Sequence, residues 1–164
     1  MHEYLELRRN GSWEYVSRKN CDGAVMIACY DKSKNKYVLV EQYRPTVNKR
    51  IIEFPGGLVK SGEHPADAAI RELKEEVGLY INKDELIYLG YVYSAVGLTD
   101  EKVYLYGLVI DENTVIKKSN LRQSEIDNDL KIIYLDENEL FDLEAAKVLT
   151  AWAKLKKKLG FFNY

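Results

Sequence analysis

Apolar residues fill positions 24–30 almost without a break and dominate 37–43, and a polar run at 31–35 separates the two. Short apolar runs bounded by turn residues read as strands, so 24–30 and 37–43 are predicted strands joined by a turn. Residues 13–18 and 50–54 read as two more. A loop is expected after Gly56 and Gly57, and then the period changes. From Pro65 to Val77, Ile70, Leu73 and Val77 recur at helical core spacing, with proline at the start and Gly78 just past the end, where each residue is favoured. Further strands are predicted at 86–93, 103–110 and 130–135, and the polar, glycine-bearing stretch 94–101 is expected to be an exposed functional loop. Asp142 is expected to cap a last helix whose apolar stripe runs through Ala145, Leu149, Trp152, Leu155 and Leu159. Strands with two well-separated helices point to an α/β fold, a mixed sheet covered by helices on opposite faces.

Composition narrows the function more than the fold. With 164 residues, 46% of them hydrophobic, the chain can bury the core of one domain. A formal charge of -2 leaves no basic excess for holding nucleic acid or an anionic membrane, so small-molecule ligands come first. No apolar stretch approaches the roughly 20 residues of a membrane span and the first residues lack signal-peptide character, which predicts a cytoplasmic protein. Cys21 and Cys29 have no second pair to complete a zinc site and read as reduced, buried thiols. The strand tyrosines, Tyr91 and Tyr106 among them, read as sheet-packing residues.

The chemistry lies on the predicted helix. Glu72, Glu75 and Glu76 fall at i, i+3 and i+4, crowding three carboxylates on one patch. Such pairs destabilise a helix by about 0.2–0.5 kcal/mol each unless a positive charge sits among them. Alone, the patch would pass for ordinary solvated surface. Its neighbours change that reading: Phe54-Pro55-Gly56-Gly57 is a glycine turn where backbone can approach an ion or phosphate, and Arg71 can pair with Glu75 one turn on. Hard oxygen donors select magnesium, manganese or calcium.

From Gly57 to Leu79 the sequence GLVKSGEHPADAAIRELKEEVGL resembles the Nudix box, G-x5-E-x7-R-E-U-x-E-E-x-G-U with U aliphatic, at all nine specified positions. The resemblance implies the Nudix fold and water attack on a nucleoside diphosphate linked to a further group, assisted by Mg2+ or Mn2+. It makes Glu72, Glu75 and Glu76 metal ligands, with the Gly56 carbonyl as an extra one, and gives Glu63 and Arg71 the task of holding the loop and orienting the acids. In this family the general base lies on the box helix or on a later loop, so Glu75 is the first candidate and Glu125 and Asp127 are loop alternatives.

Outside the box, EQYRP at 41–45, IEFPGG at 52–57 and GLTDE at 97–101 resemble the ADP-ribose and nucleoside-diphosphate-sugar pyrophosphatase branch. That likeness makes Arg44, Glu53 and Glu101 substrate-site residues and implies a homodimer built through N-terminal strands within residues 1–20. The branch commonly has alanine where Gly56 stands, and proline where Val96 stands. That proline accompanies ADP-ribose preference, so the expected substrate is a nucleoside diphosphate sugar, ADP-ribose first. Hydrolysis of nucleoside triphosphates or dinucleoside polyphosphates, and a non-catalytic nucleotide sensor, are the alternatives.

Overall fold

The computed structural model describes residues 4–161. The first strands, β1 (Leu5–Asn10) and β2 (Trp13–Arg18), form an antiparallel hairpin outside the main sheet. Residues 1–3 of the expected N-terminal dimer segment lie outside the described residues.

The main sheet contains β3 (Cys21–Asp31), β4 (Lys36–Arg44), β5 (Lys49–Glu53), β6 (Gly56–Lys60), β7 (Ile87–Tyr93), β8 (Lys102–Ile110) and β9 (Lys131–Leu135). Its order is β5-β4-β3-β8-β7, with β6 also paired to β3 and β9 to β4. Only β3 and β8 run parallel, so the sheet is mixed. Alternation sorts its side chains: Val25, Ile27 and Cys29 enter one core, and Met26 and Ala28 the other. Both faces are covered, which is why the run at 24–30 is apolar throughout rather than alternating. Ala66, Ala68, Ala69 and Leu73 close the first core, and Val148, Ala151, Trp152 and Leu155 the second.

Helix α1 (Pro65–Glu72) passes into a single π turn, Leu73–Val77, so the predicted helix keeps its extent but changes its winding in the last turn. Gly78 ends it with φ of 74°, a conformation that suits glycine, and a Cβ there would run into the Lys117 carbonyl.

Three readings need correction. The loop expected after Gly56 and Gly57 is strand β6, because both glycines pair with Met26 and Val25 of β3. A short helix, α2 (Gln123–Asp127), carries the acidic stretch before β9. Asp142 does not cap the last helix: it lies in a 3-10 turn, Glu139–Asp142, and α3 (Ala146–Lys158) starts after Ala145 with no side-chain cap. The buried positions of α3 are Val148, Ala151, Trp152 and Leu155, the predicted Ala145 and Leu149 pack partly buried against the same core, and Leu159 is exposed.

Both cysteines are free, Cys29 buried and Cys21 half-buried; burial pushes the Cys29 thiol pKa up, which keeps it protonated. Tyr106 is buried, but Tyr91 and Tyr93 are exposed on β7. Among the described residues no helix is long and apolar enough to cross a membrane.

Candidate active site

The end of α1 and its π turn carry Glu72, Glu75 and Glu76, of which Glu76 lines a cleft. Glu72 is fully buried, and its two oxygens are divided between Arg71 Nη1 at 2.5 Å and Arg122 Nη2 at 2.6 Å. Burial raises its pKa, and the charges of Arg122 and Arg71 oppose that rise. Glu76 is also buried, and its Oε2 accepts the Gly56 amide at 2.9 Å. Burial pushes its pKa well above the usual carboxylate range, and the Gly56 hydrogen bond offsets only part of this.

Arg71 is the tie between loop and helix. Its Nε and Nη2 fork onto the two oxygens of Glu63, each at 2.9 Å, and Nη2 also donates to the Leu58 carbonyl. The Arg71 hydrogen bond holds the Glu63 carboxyl below its ordinary pKa. The expected contact from Arg71 to Glu75 is present but long, 3.4 Å, behind the shorter bonds to Glu63 and Glu72.

Helix α2 adds an acid from far along the chain. Glu125 is buried, and its nearest oxygen, with those of Glu72 and Glu75, forms a set lying within 4.8 Å of one another. Magnesium–oxygen bonds of about 2.0–2.1 Å place opposite ligand oxygens about 4.2 Å apart, so a slight closure of these side chains would hold a hard divalent ion. Arginines do not neutralise the patch: among the described residues the ion pairs of Glu63, Glu72, Glu75 and Glu125 run to Arg71 and Arg122, two cations for four acids, and Glu76 accepts from the Gly56 amide. The donor set fits magnesium or manganese.

The three carboxylates expected on one helix face therefore do not act together. Glu72 and Glu75 group with Glu125, and Glu76 turns to the Gly56 amide. At Gly56 the contact recorded is thus its amide on Glu76. Asp127 is exposed and accepts a hydrogen bond from Gln123 Nε2 at 2.8 Å, away from the set.

The cleft has a volume of about 380 Å³, and both Glu76 and Glu125 line it. Val25, Met26 and Phe54 supply apolar wall, and Arg18, Arg44, Arg122 and Lys147 supply positive charge. Arg44 donates from Nε and Nη2 to Glu53 Oε2, at 2.9 and 2.5 Å, so these two expected residues stand together on the rim. Glu101 is held by Arg18 Nε at 2.5 Å and the Ser94 hydroxyl at 2.9 Å. Burial works to raise its pKa, but Arg18 and Ser94 prevail and hold it below the ordinary value. The loop at 94–101 is strapped to the hairpin by the Val16 amide on the Leu98 carbonyl and by the Ser17 hydroxyl on Asp100.

Arg18, Arg122 and Lys147 were not singled out by the sequence. Arg18 ends a predicted strand, and Arg122 stands fifty positions from Glu72. No local spacing signals either contact; only the tertiary fold brings them in.

A family model described as the NUDIX domain matches residues 21–159. The chain is 30% identical over 161 residues to putative nudix hydrolase 2 of Caenorhabditis elegans, covering 92% of this chain and 72% of that protein. It is 28% identical over 145 residues to the ADP-ribose pyrophosphatase of Bacillus subtilis (strain 168), covering 84% and 75%. With the ADP-sugar pyrophosphatase of Mus musculus it shares 49% identity over 74 residues, 41% of this chain and 34% of that one.

Proposed function

The chain belongs to the Nudix family and is a pyrophosphohydrolase, and on that premise we propose that it cleaves the pyrophosphate bond of a nucleoside diphosphate sugar, ADP-ribose first, with Mg2+ or Mn2+. One observation carries the reading: a carboxylate set able to hold a divalent ion reaches, through Glu125, a cleft with arginines on its walls. A diphosphate needs both, a metal at the reacting phosphorus and planar cations for its remaining oxygens.

A bound divalent ion would lower the pKa of a coordinated water and offset charge on the phosphoryl oxygens. Glu72, Glu75 and Glu125 are the proposed ligands, with Glu76 and Gly56 flanking them. Arg71 and Glu63 keep Glu72 in place through their forked pair. Arg44 and Arg18 bind phosphate, each held by a carboxylate, Glu53 or Glu101. Glu75 is the proposed base, since its ties to Arg71 and Arg122, both 3.4 Å, are the longest in the cluster. Water oxygen bonds to phosphorus as the bridging P–O bond breaks; the water proton passes to Glu75, and a nucleoside monophosphate and a sugar phosphate leave.

The test is a substrate panel in magnesium: ADP-ribose, a uridine diphosphate sugar, ATP and a diadenosine polyphosphate. ADP-ribose should turn over fastest, giving AMP and ribose 5-phosphate only when the ion is added. Preferential cleavage of the triphosphate or dinucleotide would replace this substrate, and turnover in excess chelator would remove the metal.

We also propose a homodimer through the hairpin. Leu7 and Trp13 are 72% and 60% exposed, and Val96 and Leu98 of the strapped loop 79% and 61%. Large apolar side chains gathered in this way mark an association surface. Light scattering should give twice the chain mass, and a monomer at every concentration would reject the dimer.

A further inference from the structure

Arg122 and a divalent ion have claims on the same three carboxylates. The guanidinium reaches Glu72 Oε2 at 2.6 Å, Glu125 Oε1 at 2.5 and 2.7 Å, and Glu75 Oε2 at 3.4 Å. These are the three residues whose oxygens lie within 4.8 Å of one another. An ion bonding carboxylate oxygens at about 2.0–2.1 Å takes the lone pairs that the guanidinium uses, and repels it at that range.

Arg71 cannot be the group that yields. Its side chain is only 18% exposed and is fixed by the fork onto Glu63 and by the Leu58 carbonyl. Arg122 is 44% exposed at the side chain and stands on the cleft wall. Its backbone is anchored apart from that carboxylate, because its carbonyl accepts the Glu125 and Ile126 amides, each at 3.0 Å, so the side chain can turn without unwinding α2. The direction open to it is the cleft that already carries Arg18 and Arg44.

We propose that Arg122 is an exchangeable counter-ion: a divalent ion takes its carboxylates, and the released guanidinium turns into the cleft to bind the diphosphate. The site then gains a phosphate-binding cation only when the metal is in place. Metal and diphosphate strengthen each other's binding through this one side chain, by the reciprocity that any such coupling obeys. The inference rests on the metal and diphosphate chemistry proposed above, but not on which sugar nucleotide is cleaved.

Opposite shifts in one variant provide the test. In calorimetry without nucleotide, Arg122→Gln should bind Mn2+ at least about fivefold more tightly than the parent, because no guanidinium has to be displaced. With saturating magnesium, the same variant should bind methylenediphosphonate, a non-cleavable diphosphate, about tenfold more weakly. Lys74→Gln removes an equal charge from an exposed position on the π turn and should leave Mn2+ affinity near the parent's. Weaker or unchanged Mn2+ binding in Arg122→Gln, an equal gain in Lys74→Gln, or unchanged diphosphonate binding overturns the exchange.

The intact protein gives a reading that needs no glutamine variant. Its Arg122 Nε–Hε nuclear magnetic resonance, identified by its absence from Arg122→Lys, should shift on adding Mg2+ while that of Arg71 stays close to its place. An Arg122 resonance unmoved at saturating Mg2+ also overturns the proposal. Neither metal titration contains a substrate, so an exchange that occurs without ADP-ribose cleavage would sink the proposed substrate alone.

Discussion

Glu76→Gln is expected to lower kcat/KM by about 10²–10³-fold, the several kcal/mol that a disturbed metal site withdraws from the transition state, without loss of thermal stability. The two halves have separate causes. Glu76 lines the cleft, and Glu75, next to it in the chain, belongs to the carboxylate set with Glu125, so removing the Glu76 charge weakens the grip on a divalent ion there. For folding, that same charge is a burden, because the side chain is buried and its recorded hydrogen-bond partner is the Gly56 amide. Glutamine keeps an acceptor for that amide and carries no charge. Because burial raises the folded-state pKa, the unfolded chain releases this proton first as pH rises. The associated stability is present below the unfolded value and lost on the way up through the folded one. A melting temperature equal to the parent's in acid and higher near neutrality is therefore expected for the variant. Activity near the parent's would remove Glu76 from the site, and a lower melting temperature at neutral pH would show that its charge is compensated in the fold.

The sequence was most legible where one residue type repeats under one constraint. The runs at 24–30 and 37–43 are apolar because both sheet faces are covered, and the structure places them in β3 and β4. Pro65 and Gly78 bracket the helix because backbone conformation alone selects them. What local pattern could not carry was pairing across distance. Gly56 and Gly57 look like a turn until β3 is beside them, and α2 is too short and polar to announce itself. Spacing put Glu72, Glu75 and Glu76 on one face by assuming an α-helix throughout. The π turn that starts at Leu73 alters that spacing, and Glu76 faces Gly56 while Glu125 joins the other two. The acidic stretch at 125–129 was visible as chemistry, but burial separates its members: Glu125 is enclosed by the Arg122 guanidinium, and Asp127 is left to solvent.

Gly57→Ala carries the other large expected effect, and it acts on Glu72 without touching its chemistry. A Cβ on Gly57 would fall on the Glu72 carboxylate, closer than van der Waals contact to both oxygens. A flexible side chain would simply move aside. Glu72 cannot, since it is fully buried with one oxygen bonded to Arg71 and the other to Arg122. The added methyl must push the carboxylate out of the metal-binding set or push β6 off β3, at a stability cost of about 1–3 kcal/mol. A displacement near 1 Å at a reacting centre costs on the order of 10²-fold in rate, so kcat/KM should fall by at least that much. Gly97→Ala is the matched control, because its Cβ meets nothing within 4 Å and its backbone is not left-handed. Mn2+ calorimetry distinguishes the causes of any loss: Gly57→Ala should bind the ion weakly at temperatures where circular dichroism shows it fully folded. Native Mn2+ affinity in that folded variant would mean that the glycine serves strand pairing alone and that Glu72 has room to move despite its bonds to Arg71 and Arg122.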